Sequence, residues 1–235
     1  MFNKDIQKWA RQLAAQIIRP LANLGITPNT LTLIGLFFSI VTAVVISQGL
    51  FLIGGLLVLF TGIFDLFDGA TARLRNIETT FGAFLDSTLD RYSEAIILGG
   101  LLFYALFHPT MQANLWFTGS AQVWMIALIY ISIVGSLMVS YTKARAEGLD
   151  IECKTGLLAR PERVVVLAVG LLFGLTMWAL LLLAVFSNIT AIERMFAVYR
   201  ATQHANKEHE EASNPARQSP ISIEHTQPSA REESF

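Results

Sequence analysis

Long apolar runs separated by short charged stretches dominate the pattern of this chain. Residues 31–64 contain no charged side chain, and the same is true of residues 164–192. One membrane crossing needs roughly 20 apolar residues, so each run is long enough for two helices joined by a turn. The turns are predicted near 47–49, at "SQG", and near 175–178.

Two shorter apolar stretches, 92–107 and 122–142, bring the predicted crossings to six. In residues 1–30, apolar side chains recur every three or four positions with cations on the other faces, which predicts an amphipathic helix in the membrane interface. Residues 201–235 are polar with few apolar positions, which predicts a disordered cytoplasmic tail. The sequence therefore predicts an all-α integral membrane protein with a six-helix transmembrane domain over 31–200.

The lysines and arginines predict the orientation of these helices. All 17 lie in the N-terminal segment, in 65–91, in 143–163 or near the C-terminal end, and the connections near 48, 108–121 and 175 contain none. Because lysine and arginine are retained on the cytoplasmic side of a membrane, six crossings with both termini in the cytoplasm place every cation inside. A multi-pass protein of the cell membrane is predicted.

Composition narrows the class further. The chain is 53% hydrophobic, with a mean hydropathy of +0.51, which is too apolar for an ordinary soluble domain. A formal net charge of -1 argues against nucleic acid as a partner, because nucleic acid requires a cationic face. Cys153 is the single cysteine, which excludes an internal disulfide.

Acidic residues at the ends of the apolar runs are the first candidates for chemistry. Asp65 and Asp68 are spaced i, i+3 at the end of the second predicted crossing, while Asp86, Asp90 and Glu94 are spaced i, i+4, i+8 in the next helix. Two carboxylate faces would meet at the cytoplasmic boundary, where they repel one another unless cations intervene. Oxygen ligands without cysteine or histidine favour a hard divalent cation, Mg²⁺ or Mn²⁺.

Small residues accompany these carboxylates. They are Gly69, Ala70, Ala72, Gly82 and Ala83. Small side chains leave room for a bulky substrate near the backbone, although close helix packing uses them equally well.

By spacing, residues 65–90 read D-x2-D-G-x2-A-R-x8-G-x3-D-x3-D. The eight fixed positions are Asp65, Asp68, Gly69, Ala72, Arg73, Gly82, Asp86 and Asp90. This pattern resembles the signature of the CDP-alcohol phosphotransferase family. The interfacial N-terminal helix, the six crossings and "TPNTLT" before the first crossing are also similar to that family, so the resemblance covers most of residues 20–200.

The resemblance implies transfer of a substituted phosphate from a CDP-linked donor to an alcohol, with release of CMP. Asp65, Asp68, Asp86 and Asp90 would hold the metal ions, and Asp90 would also act as general base on the acceptor hydroxyl. Six residues would contact the CDP moiety: Asn29, Thr32, Gly69, Ala72, Arg73 and Gly82. The resemblance also implies a homodimer, for which Gly170 and Gly174 offer a G-x3-G contact surface.

The acceptor is indicated by a cation-rich loop over 140–165. With the later "TAIERM", this loop resembles the inositol-phosphate branch of the family, the phosphatidylinositol phosphate synthases. Lys143, Arg163 and Arg194 would then bind the phosphate of inositol phosphate, and CDP-diacylglycerol would be the donor. Glycerol 3-phosphate is also anionic, so a phosphatidylglycerophosphate synthase is the alternative.

Two other classes use membrane carboxylates. A membrane prenyltransferase would need more helices and differently spaced aspartates. A cation carrier would place its carboxylates near the bilayer midplane and show repeated halves, whereas these aspartates lie at one face.

Overall fold

The computed structural model describes residues 27–62, 79–108, 120–153, 156 and 158–213. Within those residues every regular element is a helix, which confirms the all-α class. The elements are α1 Pro28–Ser47, α2 Phe51–Gly62, α3 Thr80–Phe107, α4 Ala121–Glu147, α5 Arg160–Leu172 and α6 Thr176–Ser213. The predicted interfacial helix over 1–30 falls almost entirely outside the described residues.

Threonine caps set the starts of α1 and α3. The hydroxyl of Thr27 accepts a hydrogen bond from the backbone N–H of Thr30, and Pro28 occupies the first turn. The hydroxyl of Thr79 accepts from the N–H of Gly82 in the same way. Each cap satisfies one backbone donor that a helix N-terminus otherwise leaves open.

Glycines in the left-handed region make the turns after α1 and α5. Gly49 has φ +80° and Gly174 has φ +68°. The N–H of Leu50 bonds to the carbonyl of Val45, and the N–H of Leu175 bonds to that of Gly170, which is the Schellman arrangement. The turn predicted near 47–49 is confirmed. The one predicted near 175–178 is wrong by a few residues, because Gly174 ends the helix and α6 already begins at Thr176.

Helices that follow one another in the sequence run antiparallel, and α1, α3 and α5 run parallel to one another. Contacts between α1 and its two neighbours show these directions. They include Phe38 with Phe60 and Ile46 with Gly54 on α2, and Asn29 with Gly82 and Ala43 with Gly100 on α3.

Contacts of α4 show the same alternation. They include Ser136 with Glu94 and Gln122 with Leu106 on α3, and Ser132 with Leu180 and Val139 with Arg194 on α6. The helices therefore form a bundle in which the chain direction alternates.

The bundle is apolar on both its inside and its outside. Its core includes Ile46, Leu98, Leu101, Met125, Ile129, Leu171 and Leu180. Large apolar side chains also cover the surface, among them Phe37 at 60% exposure and Phe103 at 57%. Such a surface is expected of helices that face lipid. Among the described residues, three helical segments are long and apolar enough to cross a membrane: Asn29–Ser47, Ala121–Glu147 and Thr176–Gln203.

The C-terminal helix is longer than predicted. At 38 residues α6 extends about 57 Å and continues to Ser213, so the prediction of disorder is wrong for residues 201–213. The sequence from Ala201 to Ser213 is rich in alanine, glutamate and other strong helix formers. Extending an existing helix adds a hydrogen bond per residue without a new nucleus, so this polar sequence can continue it.

The proposed G-x3-G surface is not present on one helix. Gly170 packs against Ala179 of α6 in the same chain, and Gly174 lies beyond the end of α5 in the turn. Gly170 therefore serves the α5–α6 hairpin, and the two glycines do not form one continuous helical surface.

Candidate active site

Three acidic residues lie on one face of α3. Asp86, Asp90 and Glu94 follow one another at intervals of one helical turn, as the sequence predicted. The face meets the first turn of α5, where Arg160 and Arg163 are spaced i, i+3. Because α3 and α5 are parallel, Asp90 lies opposite Arg160, and Glu94, one turn later, lies opposite Arg163.

Two ion pairs result, here called the outer pair and the inner pair. In the outer pair, Oδ1 of Asp90 lies 2.7 Å from Nη1 of Arg160, and Oδ2 lies 3.4 Å from Nη1 of Arg91. In the inner pair, Oε1 and Oε2 of Glu94 accept hydrogen bonds of 2.7 and 2.8 Å from Nε and Nη2 of Arg163. The inner pair has the two-pronged geometry that makes arginine–carboxylate contacts strong.

The inner pair is also the more enclosed of the two. Arg163 is 3% exposed, whereas the side chain of Arg160 is 22% exposed. Ser136 on α4 donates a hydrogen bond of 2.9 Å to Oε1 of Glu94. The Glu94 carboxylate therefore joins α3, α4 and α5 at one point.

A cavity opens beside these pairs, between α1, α2, α3 and α5. Its polar lining consists of Ser39, Thr61, Ser93, Glu94, Arg160 and Arg163. The rest of the lining is apolar, and the volume of about 30 Å³ holds roughly one water molecule, so the cavity is not itself a substrate pocket.

Two of the residues predicted to contact CDP meet across α1 and α3. A Cβ atom on Gly82 would lie 3.0 Å from Oδ1 of Asn29 and 2.9 Å from Oγ1 of Thr79. A side chain at position 82 would thus displace Asn29 or the helix cap. Thr32 lies one turn along α1 from Asn29 and is buried.

The three predicted acceptor cations are placed differently. Arg163 is held in the inner pair. Arg194 on α6 is buried, donates to the carbonyl of Val139 on α4, and lies against Gly156. Lys143 lies one turn beyond Val139 on α4, where it is exposed and its Nζ is 3.6 Å from Oε1 of Glu147. Lys143 and Arg194 therefore share the C-terminal end of α4.

The loop before α5 connects Arg163 to the part of α6 that carries Arg194. The N–H of Leu158 bonds to the hydroxyl of Thr190, one turn before Arg194, and the carbonyl of Leu158 accepts from Nη1 of Arg163.

Five predicted site residues fall outside the described residues: Asp65, Asp68, Gly69, Ala72 and Arg73. In the part of the chain that the structure covers, no three His, Cys, Asp or Glu side chains form a metal cluster. Asp86 and Asp90 contribute the two described members of the predicted ligand set, one turn apart on α3. Their donor atoms are carboxylate oxygens, which fit a hard divalent cation.

Sequence reasoning missed Arg160 and Ser136. Asp90 contacts Arg91 beside it in the sequence, but its shorter ion pair is with Arg160, which lies far along the chain. A usable signal was present: the i, i+3 arginines of "RPER" match the i, i+4 acids of "DRYSE".

Comparison with known proteins agrees with the geometry of this site. The family model described as CDP-alcohol phosphatidyltransferase matches residues 25–199. Phosphatidylinositol phosphate synthase of Mycobacteroides abscessus is 34% identical over 204 residues, covering 80% of this chain and 86% of that protein. Archaetidylinositol phosphate synthase of Methanothermobacter thermautotrophicus is 32% identical over 205 residues, covering 84% and 96%.

Solved structures resemble the fold as well. The crystal structure of Mycobacterium tuberculosis phosphatidylinositol phosphate synthase with CDP-DAG bound matches with a TM-score of 0.70 and 31% identity, covering 80% of this chain and 94% of that one. The same enzyme in complex with manganese and citrate matches with a TM-score of 0.70 and 32% identity, covering 79% and 88%.

The chain therefore belongs to the CDP-alcohol phosphatidyltransferase family. It is a membrane enzyme of that family, which confirms the resemblance drawn from the spacing of residues 65–90. Membership of this family excludes the two other classes considered from the sequence, a membrane prenyltransferase and a cation carrier.

Proposed function

We propose that this enzyme transfers the phosphatidyl group of CDP-diacylglycerol to inositol phosphate, producing phosphatidylinositol phosphate and CMP. The observation that carries the proposal is the pairing of Asp90 and Glu94 on α3 with Arg160 and Arg163 on α5. It places Asp90, a carboxylate of the family signature, one helical turn from Glu94, whose partner Arg163 is a buried cation suited to an acceptor phosphate. The names of the relatives favour inositol phosphate over glycerol 3-phosphate.

The proposed topology has six crossings, with both termini cytoplasmic and residues 1–30 in the interface. Alternating helix directions support it, because each helix returns to the side from which its predecessor came. The 13 residues of α5 extend only about 20 Å, less than the roughly 30 Å of a hydrocarbon core. We therefore propose that the α5–α6 turn lies within the outer part of the bilayer.

Asp65, Asp68, Asp86 and Asp90 would hold Mg²⁺ or Mn²⁺. A bound divalent ion would neutralise the diphosphate of the donor and stabilise CMP as it leaves. The structure of the M. tuberculosis relative with manganese supports a divalent ion here.

The CDP moiety would lie over the starts of α1 and α3. Asn29 and Thr32 would contact it from α1, Gly82 would let it approach the backbone of α3, and Gly69, Ala72 and Arg73 would complete the contacts. The contact between Gly82 and Asn29 supports a common site, because these two residues meet where both helices begin.

Transfer requires one bond to form and one to break at the phosphorus that carries diacylglycerol. The acceptor hydroxyl oxygen would bond to that phosphorus, and the bond from phosphorus to the oxygen bridging to CMP would break. Asp90 would take the hydroxyl proton as the attack proceeds, which a carboxylate can do only while it is ionised. Arg160 and Arg91 keep cationic charge beside this carboxylate.

Lys143, Arg163 and Arg194 would bind the phosphate of the acceptor. They lie around the loop before α5, and each presents N–H donors to an anion. Their cationic charge separates a phosphorylated acceptor from free inositol.

We also propose a homodimer, on family grounds alone. Its interface is sought on the lipid-facing helix surfaces rather than at Gly170 and Gly174, which are used within one chain. Cross-linking of the purified protein in bilayer discs tests it, and a single species of monomer mass would contradict it.

The direct test is release of CMP from CDP-diacylglycerol by the purified full-length protein. Inositol phosphate, glycerol 3-phosphate and free inositol are offered in parallel, with Mg²⁺, with Mn²⁺ and after chelation. Metal-dependent CMP release with inositol phosphate is expected. Preference for glycerol 3-phosphate would establish the alternative, and no release with any acceptor would refute the transferase.

A further inference from the structure

The Arg163 guanidinium uses only some of its N–H groups in hydrogen bonds to the described residues. Arginine has five N–H groups. Nε and Nη2 donate to Glu94, and Nη1 donates to the carbonyl of Leu158 at 3.3 Å. With respect to the described residues, one N–H on Nη1 and one on Nη2 remain for a further acceptor.

The carboxylate that holds Arg163 is itself fixed. Oε1 of Glu94 accepts from Nε of Arg163 and from the hydroxyl of Ser136, which is a buried residue on α4. A carboxylate held from two helices cannot rotate freely, so it fixes the plane of the guanidinium that it contacts. Arg163 and Glu94 both line the cavity, while Ser136 lies behind them.

The same carboxylate relates Arg163 to the proposed base. Glu94 and Asp90 are separated by one turn of α3, a rise of about 6 Å. The guanidinium is thereby fixed relative to the carboxylate that would take the acceptor's proton. An acceptor anchored through its phosphate would then present its hydroxyl in one orientation, which lowers the entropy cost of the reaction.

We infer that Glu94 and Ser136 are positioning residues that orient Arg163 toward the phosphate of the acceptor. This inference rests on the proposed function, in which Arg163 binds that phosphate. Glu94 acts through Arg163 and does not touch the reacting atoms. Its removal should therefore weaken acceptor binding, whereas the use of CDP-diacylglycerol should stay the same.

The experiment measures CMP release by the full-length protein while each substrate is varied in turn. Glu94→Gln keeps the size of the side chain but removes its charge, and Ser136→Ala removes the rear hydrogen bond. For Glu94→Gln we expect KM for inositol phosphate to rise about tenfold, while kcat and KM for CDP-diacylglycerol stay within about threefold of the wild type. For Ser136→Ala we expect KM for inositol phosphate to rise about threefold.

Matched variants separate positioning from general damage. Glu193→Gln makes the same chemical change on α6, and Ser132→Ala removes another buried serine hydroxyl of α4, one that donates to the carbonyl of Leu180. Both should keep the acceptor KM of the wild type.

The outcomes are distinguishable. An active wild type together with an unchanged acceptor KM in folded Glu94→Gln overturns this inference alone. A fall in kcat together with a rise in both KM values and a lowered unfolding temperature shows a structural role and also overturns the inference. If Glu94→Gln does not fold, Ser136→Ala decides, and an unchanged acceptor KM there overturns the inference. A wild type that releases no CMP with inositol phosphate overturns the proposed function and this inference with it.

Discussion

Asp90 on α3 and Arg160 on α5 form an ion pair of 2.7 Å, although 70 positions separate them in the sequence. A divalent ion at the proposed site would neutralise the same carboxylate. Arg160→Gln should therefore lower the unfolding temperature without metal by several degrees, since a partly exposed pair of this kind is worth about 1–2 kcal/mol. Saturating Mn²⁺ should reduce the deficit.

Thermal unfolding in detergent, with and without Mn²⁺, measures this difference. Arg145→Gln, at an exposed position in the last turn of α4, is the matched control. An equal deficit at all metal concentrations would mean that no ion shares Asp90 with Arg160.

Asp90→Asn should abolish transfer while CDP-diacylglycerol still binds, because an amide cannot take the proton of the acceptor hydroxyl. A loss of at least about 100-fold in kcat is expected for removal of a general base. CMP release and binding of CDP-diacylglycerol are measured separately. Asp150→Asn is the control, because Asp150 has φ +57° and asparagine tolerates that conformation. Near-normal turnover by Asp90→Asn would exclude Asp90 as the base.

Gly82→Ala should weaken the use of the donor and leave the acceptor unaffected. The added methyl group would displace Asn29 or the cap at Thr79, both within 3.0 Å of it. An increase of about threefold to tenfold in KM for CDP-diacylglycerol is expected. Gly99→Ala is the control on the same helix, because its Cβ would meet nothing within 4 Å. A change confined to the acceptor KM would move Gly82 out of the nucleotide site.

Gly100→Ala should destabilise the bundle. Its Cβ would lie 2.5 Å from the carbonyl oxygen of Ala43, so α1 and α3 would have to separate. Overpacking of this kind costs about 1–3 kcal/mol, whereas the neighbouring Gly99→Ala should be neutral or slightly stabilising because alanine favours helix. Thermal unfolding of the two variants measures the contrast, and equal unfolding temperatures would show that the helices do not cross closely at Gly100.

The six-crossing topology predicts which turns face outward. In a Cys153→Ser background, a cysteine at the exposed Gln48 should react with a membrane-impermeant thiol reagent in intact cells. A cysteine at the exposed Leu149 should react only after permeabilisation. Labelling of position 149 in intact cells would place the 143–163 loop outside and refute the orientation.

Much of this fold could be predicted because the bilayer imposes simple rules on a sequence. Uncharged runs predicted helical hairpins, and glycine at position 49 marked the first turn where the left-handed conformation was required. The eight fixed positions from Asp65 to Asp90 pointed to the family, because they resemble its signature in both residue type and spacing.

What could not be predicted depends on contacts between distant parts of the chain. Asp90 contacts the neighbouring Arg91, but only the parallel packing of α3 and α5 brings Arg160 to it for the shorter ion pair. Arg163 was predicted from the resemblance as a cation for the acceptor, with no sign that Glu94 and Ser136 hold it. The end of α6 was also missed, because polar composition alone does not distinguish a solvated helix from a disordered tail.

The Glu94 carboxylate, which contacts groups on three helices, has a consequence for the evolution of acceptor choice. Replacing Arg163 would leave a buried carboxylate without its cation, so a change of substrate at that position would also endanger folding. Lys143 is exposed and can be exchanged at little cost to the fold. Under the proposed roles of these two residues, a change of acceptor is therefore easier to reach at Lys143 than at Arg163.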